Sequence, residues 1–155
     1  MFNGKDLTGW RNDGHWSVEN GSLVSRLPKG ELKDSSFLTT ERTDYRDFHV
    51  RAVVKINAGG DSGLFFRFGD QGDASIQAQI MAAPANVGSL LRHATVVVPS
   101  ARLVPPDEWF TLEVIAEGSR VVVLVDGQET VSWIDPSGTT FAGPIGIESA
   151  YPGTE

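Results

Sequence analysis

An all-β sandwich or barrel is the fold class this sequence predicts, and three observations predict it. Apolar residues alternate with polar ones instead of recurring at the period of about 3.6 that marks a helix. Turn-forming pairs such as Asn20-Gly21, Gly59-Gly60, Gly118-Ser119 and Asp126-Gly127 separate the alternating runs. No stretch long enough for a packed helix carries a helical stripe, so at most a turn or two of helix is expected. At 155 residues the chain reads as one domain, residues 1–155, without internal repeat, low-complexity stretch or linker.

The elements follow in order. "FNGKDLTGW" (2–10) is too polar for a strand and too rich in glycine for a helix. Asn3-Gly4 favours positive φ, Asp6 caps the following turn, and Gly9 releases the backbone again, so the stretch reads as a turn that delivers Trp10 to the core. "HWSVENGSLVS" (15–25) is a hairpin about Asn20-Gly21. In "FHVRAVVKI" (48–56), Phe48, Val50, Ala52, Val54 and Ile56 share one face, with His49, Arg51 and Lys55 on the other. "SGLFFRF" (62–68) sets Leu64, Phe66 and Phe68 against Phe65 and Arg67. "ASIQAQI" (74–80) sets Ile76, Ala78 and Ile80 against Ser75, Gln77 and Gln79. "FTLEVIAE" (110–117) and "RVVVLVDG" (120–127) are β-branched, and the second is apolar on both faces, as a central strand is. Trp16 and Trp109 each precede an alternating strand and are expected in the core.

Composition limits the partners. The chain has 13 basic and 20 acidic residues, a net charge of −7 and no basic cluster. Nothing in it can displace the counterions of a nucleic acid or an anionic membrane. It has no apolar run of membrane-spanning length, and residues from position 2 onward are already polar, so any targeting segment is expected upstream. Absence of cysteine removes disulfides, thiol nucleophiles and Cys-type zinc sites. His15 and His93 lack a spaced partner and read as surface or packing residues, while Asp126 reads as a hairpin residue. A calcium site of loop oxygens is conceivable at Asp70 and Asp73, but no cofactor is expected.

Five motifs occur together: "FNGKDLTGW", "HWSVENGSLVS", "GDSGLFFRF", "IQAQI" and "PPDEWFTLEVIAEGSRVVVLVDGQE". In this order and spacing the chain resembles the 3-keto-disaccharide hydrolase domain family from Phe2 to about Glu148. The resemblance implies a jelly-roll β-sandwich like that of concanavalin A-type lectins and glucanases. It also implies a periplasmic or extracellular bacterial protein that acts on modified carbohydrate, possessing other domains where the chain is longer. Family members follow the "GPIGIES" strand with a closing strand of Phe-Arg-Asn-Ile type. This sequence has "AYPGTE" there, so the expectation is a missing closing strand and a bared sheet edge beside residues 144–148.

The chemistry the resemblance implies needs a base, a donor at a ketone and an acid. A ketone at sugar C3 acidifies the hydrogen at C2, so the oxygen at C1 can leave by elimination and water can add afterwards. The family strand usually reads Tyr-Glu-aliphatic-Gln-Ile, whereas here it is Ile76, Gln77, Ala78, Gln79, Ile80. An amide is no base at neutral pH, although it hydrogen-bonds hydroxyls. Arg67 matches the family arginine and is a candidate electrophile, against a structural pairing with Asp61 or Glu148. Asp61 stands where the family has Asn, as a turn residue or an acid/base. Glu148 alternates away from Ile145 and Ile147, so it is either solvated or an acid/base. Gln77 and Gln79 share a face and suit sugar binding, with Arg67 expected beside them. No Glu-x-Asp-x-x-Glu strand exists, which argues against ordinary retaining glycosidase chemistry. Two readings compete: an enzyme cleaving 3-keto glycosides, with Arg67, Glu148 and Asp61 catalytic, and a non-catalytic glycan-binding module. An interaction domain of a larger surface protein is a third.

Overall fold

The computed structural model describes residues 1–27, 35–68, 75–138, 140–151 and 153–155. Among them the strands are β1 (Trp10–Asn12), β2 (Trp16–Glu19), β3 (Ser22–Ser25), β4 (Ser35–Thr40), β5 (Phe48–Val54), β6 (Asp61–Phe66) and β7 (Ile76–Met81). There follow β8 (Leu90–Arg92), β9 (Thr95–Val98), β10 (Phe110–Glu117), β11 (Arg120–Val125), β12 (Gln128–Ile134) and β13 (Gly146–Ala150). No helix occurs among the described residues.

A seven-stranded antiparallel sheet in the order β1-β4-β13-β6-β7-β8-β9 faces a four-stranded one, β12-β11-β10-β5. The β2–β3 hairpin forms a small sheet of its own. The alternation seen in the sequence explains the core. Leu64, Phe66, Ile76, Ala78 and Ile80 of the larger sheet meet Val50, Leu112, Val114, Val121, Val123 and Val125 of the smaller. β11 lies between β10 and β12, and its Val121, Val122, Val123 and Val125 are buried. A second cluster packs Trp10, Trp16 and Leu38 under the hairpin, with Ile147 shared between the two clusters. Removing such faces from water is the main stabilising contribution, roughly 1.5–3 kcal/mol per large side chain.

The opening stretch is the expected turn. Asn3 Oδ1 accepts from the Lys5 and Asp6 amides, Asp6 Oδ1 accepts from the Thr8 amide, and Gly4 and Gly9 have positive φ. The hairpin residues Asp126 and Gly127 have φ of 51° and 73°, the pair of left-handed conformations a two-residue turn needs. Trp109 departs from expectation: it is 59% exposed, with the Lys55 ammonium 5.5 Å from its ring centroid. The edge expected beside residues 144–148 is also absent, because β13 is paired with β4 on one side and β6 on the other. Among the described residues β3 pairs only with β2, and β5 only with β10.

Candidate functional site

The outward face of the larger sheet gathers four of the expected residues. Glu148 on β13 stands opposite Gly63 on β6, and Gly63 stands opposite Gln79 on β7. One step along, Gly146, Phe65 and Gln77 form the neighbouring row. Asp61 begins β6 on the same parity. The two-residue alternation thus places Asp61, Gln77, Gln79 and Glu148 together on three adjacent strands.

Gly63 sets the geometry. A Cβ at this position would lie 2.2 Å from Gln77 Nε2 and 2.5 Å from its Cγ. The glycine therefore leaves the space through which the Gln77 side chain crosses β6. Gln77 Nε2 donates a long hydrogen bond of 3.5 Å to Glu148 Oε2 and another of 3.4 Å to the Ser62 carbonyl. The Gln79 amide donates to Asp61 Oδ1. Both glutamine side chains are buried, so these contacts fix their orientation.

The two carboxylates are held away from their ordinary ionisation. Burial, with help from the negative charge of Asp61, pushes Glu148 up from 4.5 to about 7. Burial also raises Asp61, against the opposing hydrogen bonds from the Ser62 amide and Gln79. An aromatic shelf adjoins the cluster: Phe37 lies opposite Glu148 on β4, and its ring meets Phe65 edge-on with centroids 5.4 Å apart. Phe65 in turn meets Phe68 at 6.4 Å. Polar groups beside apolar ring surface suit the alternating hydroxyl and C–H faces of a sugar.

Arg67 does not join this cluster, which corrects the expectation that it shares a surface with Gln77 and Gln79. Its backbone has φ of 52°, a left-handed turn immediately after β6 that resets the strand's alternation. Phe68 consequently packs against Phe65, although strict alternation put them on opposite faces. The Arg67 side chain is 1% exposed, and its Nη2 donates to the carbonyls of Arg46 (3.0 Å) and Gly118 (2.6 Å). Among the described residues its ion-pair partner is Asp47 at 3.7 Å, neither Asp61 nor Glu148. Burial lowers its pKa, with Asp47 and Asp135 opposing that shift. The guanidinium braces the turn between β10 and β11.

Gly63 and Phe37 were not singled out in the sequence. Gly63 carried a signal, since glycine inside an alternating strand marks a close approach. Phe37 carried none, because only strand pairing brings it to Glu148. Among the described residues no three His, Asp or Glu side chains gather to hold a metal. Asp70 and Asp73, considered for calcium, lie outside the described residues.

A sandwich of one larger and one smaller antiparallel sheet, with carboxylates, amides and phenyl rings on an outer face, defines a concanavalin A-type carbohydrate-related domain. The sequence makes the assignment narrower. Residues 1–153 match the 3-keto-alpha-glucoside-1,2-lyase-like domain, and the chain belongs to that family. Among solved structures it is similar to the carbohydrate-binding module CBM66 from Bacillus subtilis, with 19% identity and a TM-score of 0.75 over 92% of this chain and 88% of that one. A Parabacteroides distasonis protein named for a presumed glycosyl hydrolase activity shares 19% identity and a TM-score of 0.73, over 99% of this chain and 87% of that one. The exoplasmic domain of VIP36, bound to calcium and Man3GlcNAc, shares 10% identity and a TM-score of 0.69, over 99% of this chain and 81% of that one. These structural likenesses show the fold. No curated protein matches the chain.

Proposed function

We propose that this domain cleaves 3-keto glycosides by elimination across C1 and C2, using the outward face of the seven-stranded sheet. The observation that carries the proposal is Glu148, a half-buried carboxyl raised to about 7 and contacted by the Gln77 amide. A group with that pKa is present in both protonation states at neutral pH, as a proton-transfer catalyst needs to be. Glu148 takes the proton from C2, and that bond's electrons form the C1–C2 double bond. The C1–oxygen bond breaks, and the departing oxygen receives the proton from the same carboxyl. Water then adds across the double bond to give the free keto sugar. Charge that develops on the ketone oxygen meets the N–H groups of Gln77 and Gln79. Asp61 is a positioning residue: it orients the Gln79 amide, and its charge helps to hold the proton on Glu148. Arg67 has no part in this scheme.

A second reading, a glycan-binding module without turnover, is favoured by one residue. Gln77 occupies the place of the family's strand glutamate, and Gln77 itself cannot act as a base. The two readings part in one experiment. The protein is incubated with a nitrophenyl 3-keto-glucoside and with its unoxidised parent, and nitrophenol release is followed. Release from the keto compound alone, lost in Glu148→Gln, supports the lyase. Turnover of both compounds rules out elimination through C2. Turnover of neither, with calorimetric glycan binding that weakens in Gln77→Ala, supports the binding module.

A further inference from the structure

On the lyase reading above, a bound substrate has a fixed direction across the larger sheet. Gln77 Nε2 stands 3.5 Å from Glu148 Oε2, close enough for one to meet the ketone oxygen and the other the neighbouring C2–H. The oxygens on C3 and C1 flank C2 on opposite sides, separated by roughly one strand spacing of 4.8 Å. The ketone lies on the β6–β7 side of Glu148, where the Gln77 and Gln79 amides are held. The leaving oxygen and the group it carries therefore lie on the other side, over β13 and β4.

That side is built of phenyl rings. Phe37 stands on β4 directly opposite Glu148. Its ring reaches over β13 to meet Phe65, and Phe65 meets Phe68. Gly146 on β13 makes room beneath them: a Cβ there would lie 3.1 Å from Phe68 Cζ and 3.2 Å from Thr39 Cγ2. Each of the three rings keeps part of its surface exposed. Phe68 reaches this face through the left-handed turn at Arg67, a conformation unfavourable to a side chain of that size. Backbone strain of this kind clusters where a site uses the result.

We propose, resting on that reading, that Phe37, Phe65 and Phe68 form the leaving-group subsite. It selects keto glycosides with an aromatic aglycone over those that release a second sugar or a small alcohol. An aryl ring meets these phenyls edge-on or offset, as they meet one another. The hydroxyls of a second sugar would instead give up water against C–H and π surface. Phe37 is the specificity-determining residue, because it stands beside Glu148 on the side to which the leaving group points. It moves no proton, so its effect falls on the choice between substrates.

The test uses the 3-keto derivatives of 2-phenylethyl glucoside and ethyl glucoside, matched in anomeric configuration. Both leaving groups are primary alcohols of similar acidity, so a difference in rate reports the contact and not the ease of departure. The parent should favour the phenylethyl compound about tenfold in kcat/KM, the combined effect of two ring contacts. Phe37→Ala, or Phe37→Leu should the alanine variant fail to fold, should bring that ratio within about threefold, whereas Phe37→Tyr keeps a ring and should retain it. A parent ratio near one or below it overturns the proposal. So does a preference that survives in Phe37→Ala, because another surface then makes it. Turnover of neither compound refutes the lyase reading instead, and calorimetric binding of the same pair then decides the subsite. A phenylethyl preference that disappears in Phe37→Ala upholds it, and equal binding overturns it.

Discussion

Replacing Glu148 by glutamine should make the protein more stable while abolishing its proposed chemistry. The carboxyl has an ordinary pKa of 4.5 and a folded value of about 7. Below pH 4.5 both folded and unfolded chains hold the proton, and the group does no harm. As pH rises the unfolded chain releases its proton first and the folded chain retains it, so stability declines until about pH 7. The full shift corresponds to about 3 kcal/mol, an upper figure because local relaxation and water reduce it. A neutral amide of the same shape escapes that cost and still offers an oxygen to Gln77. Glu148→Gln should therefore melt on the order of 5–10 °C above the parent at pH 8 and within a degree or two of it at pH 4. Thermal unfolding by circular dichroism at half-unit steps of pH gives the difference curve, in which the other titrating groups cancel. If parent and variant show the same dependence between pH 4.5 and 7, the carboxyl is not desolvated as described.

Gly63→Ala should lower stability by about 1–3 kcal/mol because its Cβ falls on the Gln77 amide, and adding Gln77→Ala should recover most of that loss in chemical denaturation. Arg67→Met should cost no more than about 1–2 kcal/mol, because the carbonyls it releases belong to the exposed Arg46 and Gly118 and it also removes a buried guanidinium whose Nε and Nη1 have no partner. Activity or glycan binding per folded molecule should stay within about twofold of the parent in that variant; a far larger loss would return Arg67 to the site. Phe37→Ala should weaken sugar affinity by about 1 kcal/mol in titration calorimetry with little change in melting temperature. Should the keto-glycoside be turned over, the parent's rate should rise through a limb near pH 7 as Glu148 ionises.

β5, β6 and β7 were legible because each carries its own alternation, and β10 and β11 because they are β-branched, whereas β4, β8, β9 and β12 carry no such signal and were not read. Val50 and Val54, or Ile76 and Ile80, announce a buried face without reference to any partner, and the shared face of Gln77 and Gln79 follows from the same rule. Arg67 was misplaced because one residue with positive φ shifts everything after it by a half-period, and a bulky arginine gives no warning of such a turn. Trp109 was expected in the core because it precedes an alternating strand, yet its ring stays exposed under the Lys55 ammonium. The pairing of β13 between β4 and β6 joins residues about a hundred positions apart, and no local pattern records it. The contact between Phe37 and Glu148 depends on that pairing.

The brace at Arg67 has a mechanical consequence. The guanidinium belongs to the larger sheet's chain but grips carbonyls at the β5 and β10–β11 ends of the smaller one, next to the start of β5. Asn57 lies at the other end of the same strand, where its backbone and side chain are hydrogen-bonded to Gly153 and Glu155. β5 is thus fastened at both margins, by the guanidinium at one and by residues 153–155 at the other. Amide lifetimes along that strand should therefore be shortest towards its middle, at the positions turned away from β10, and lengthen towards either end.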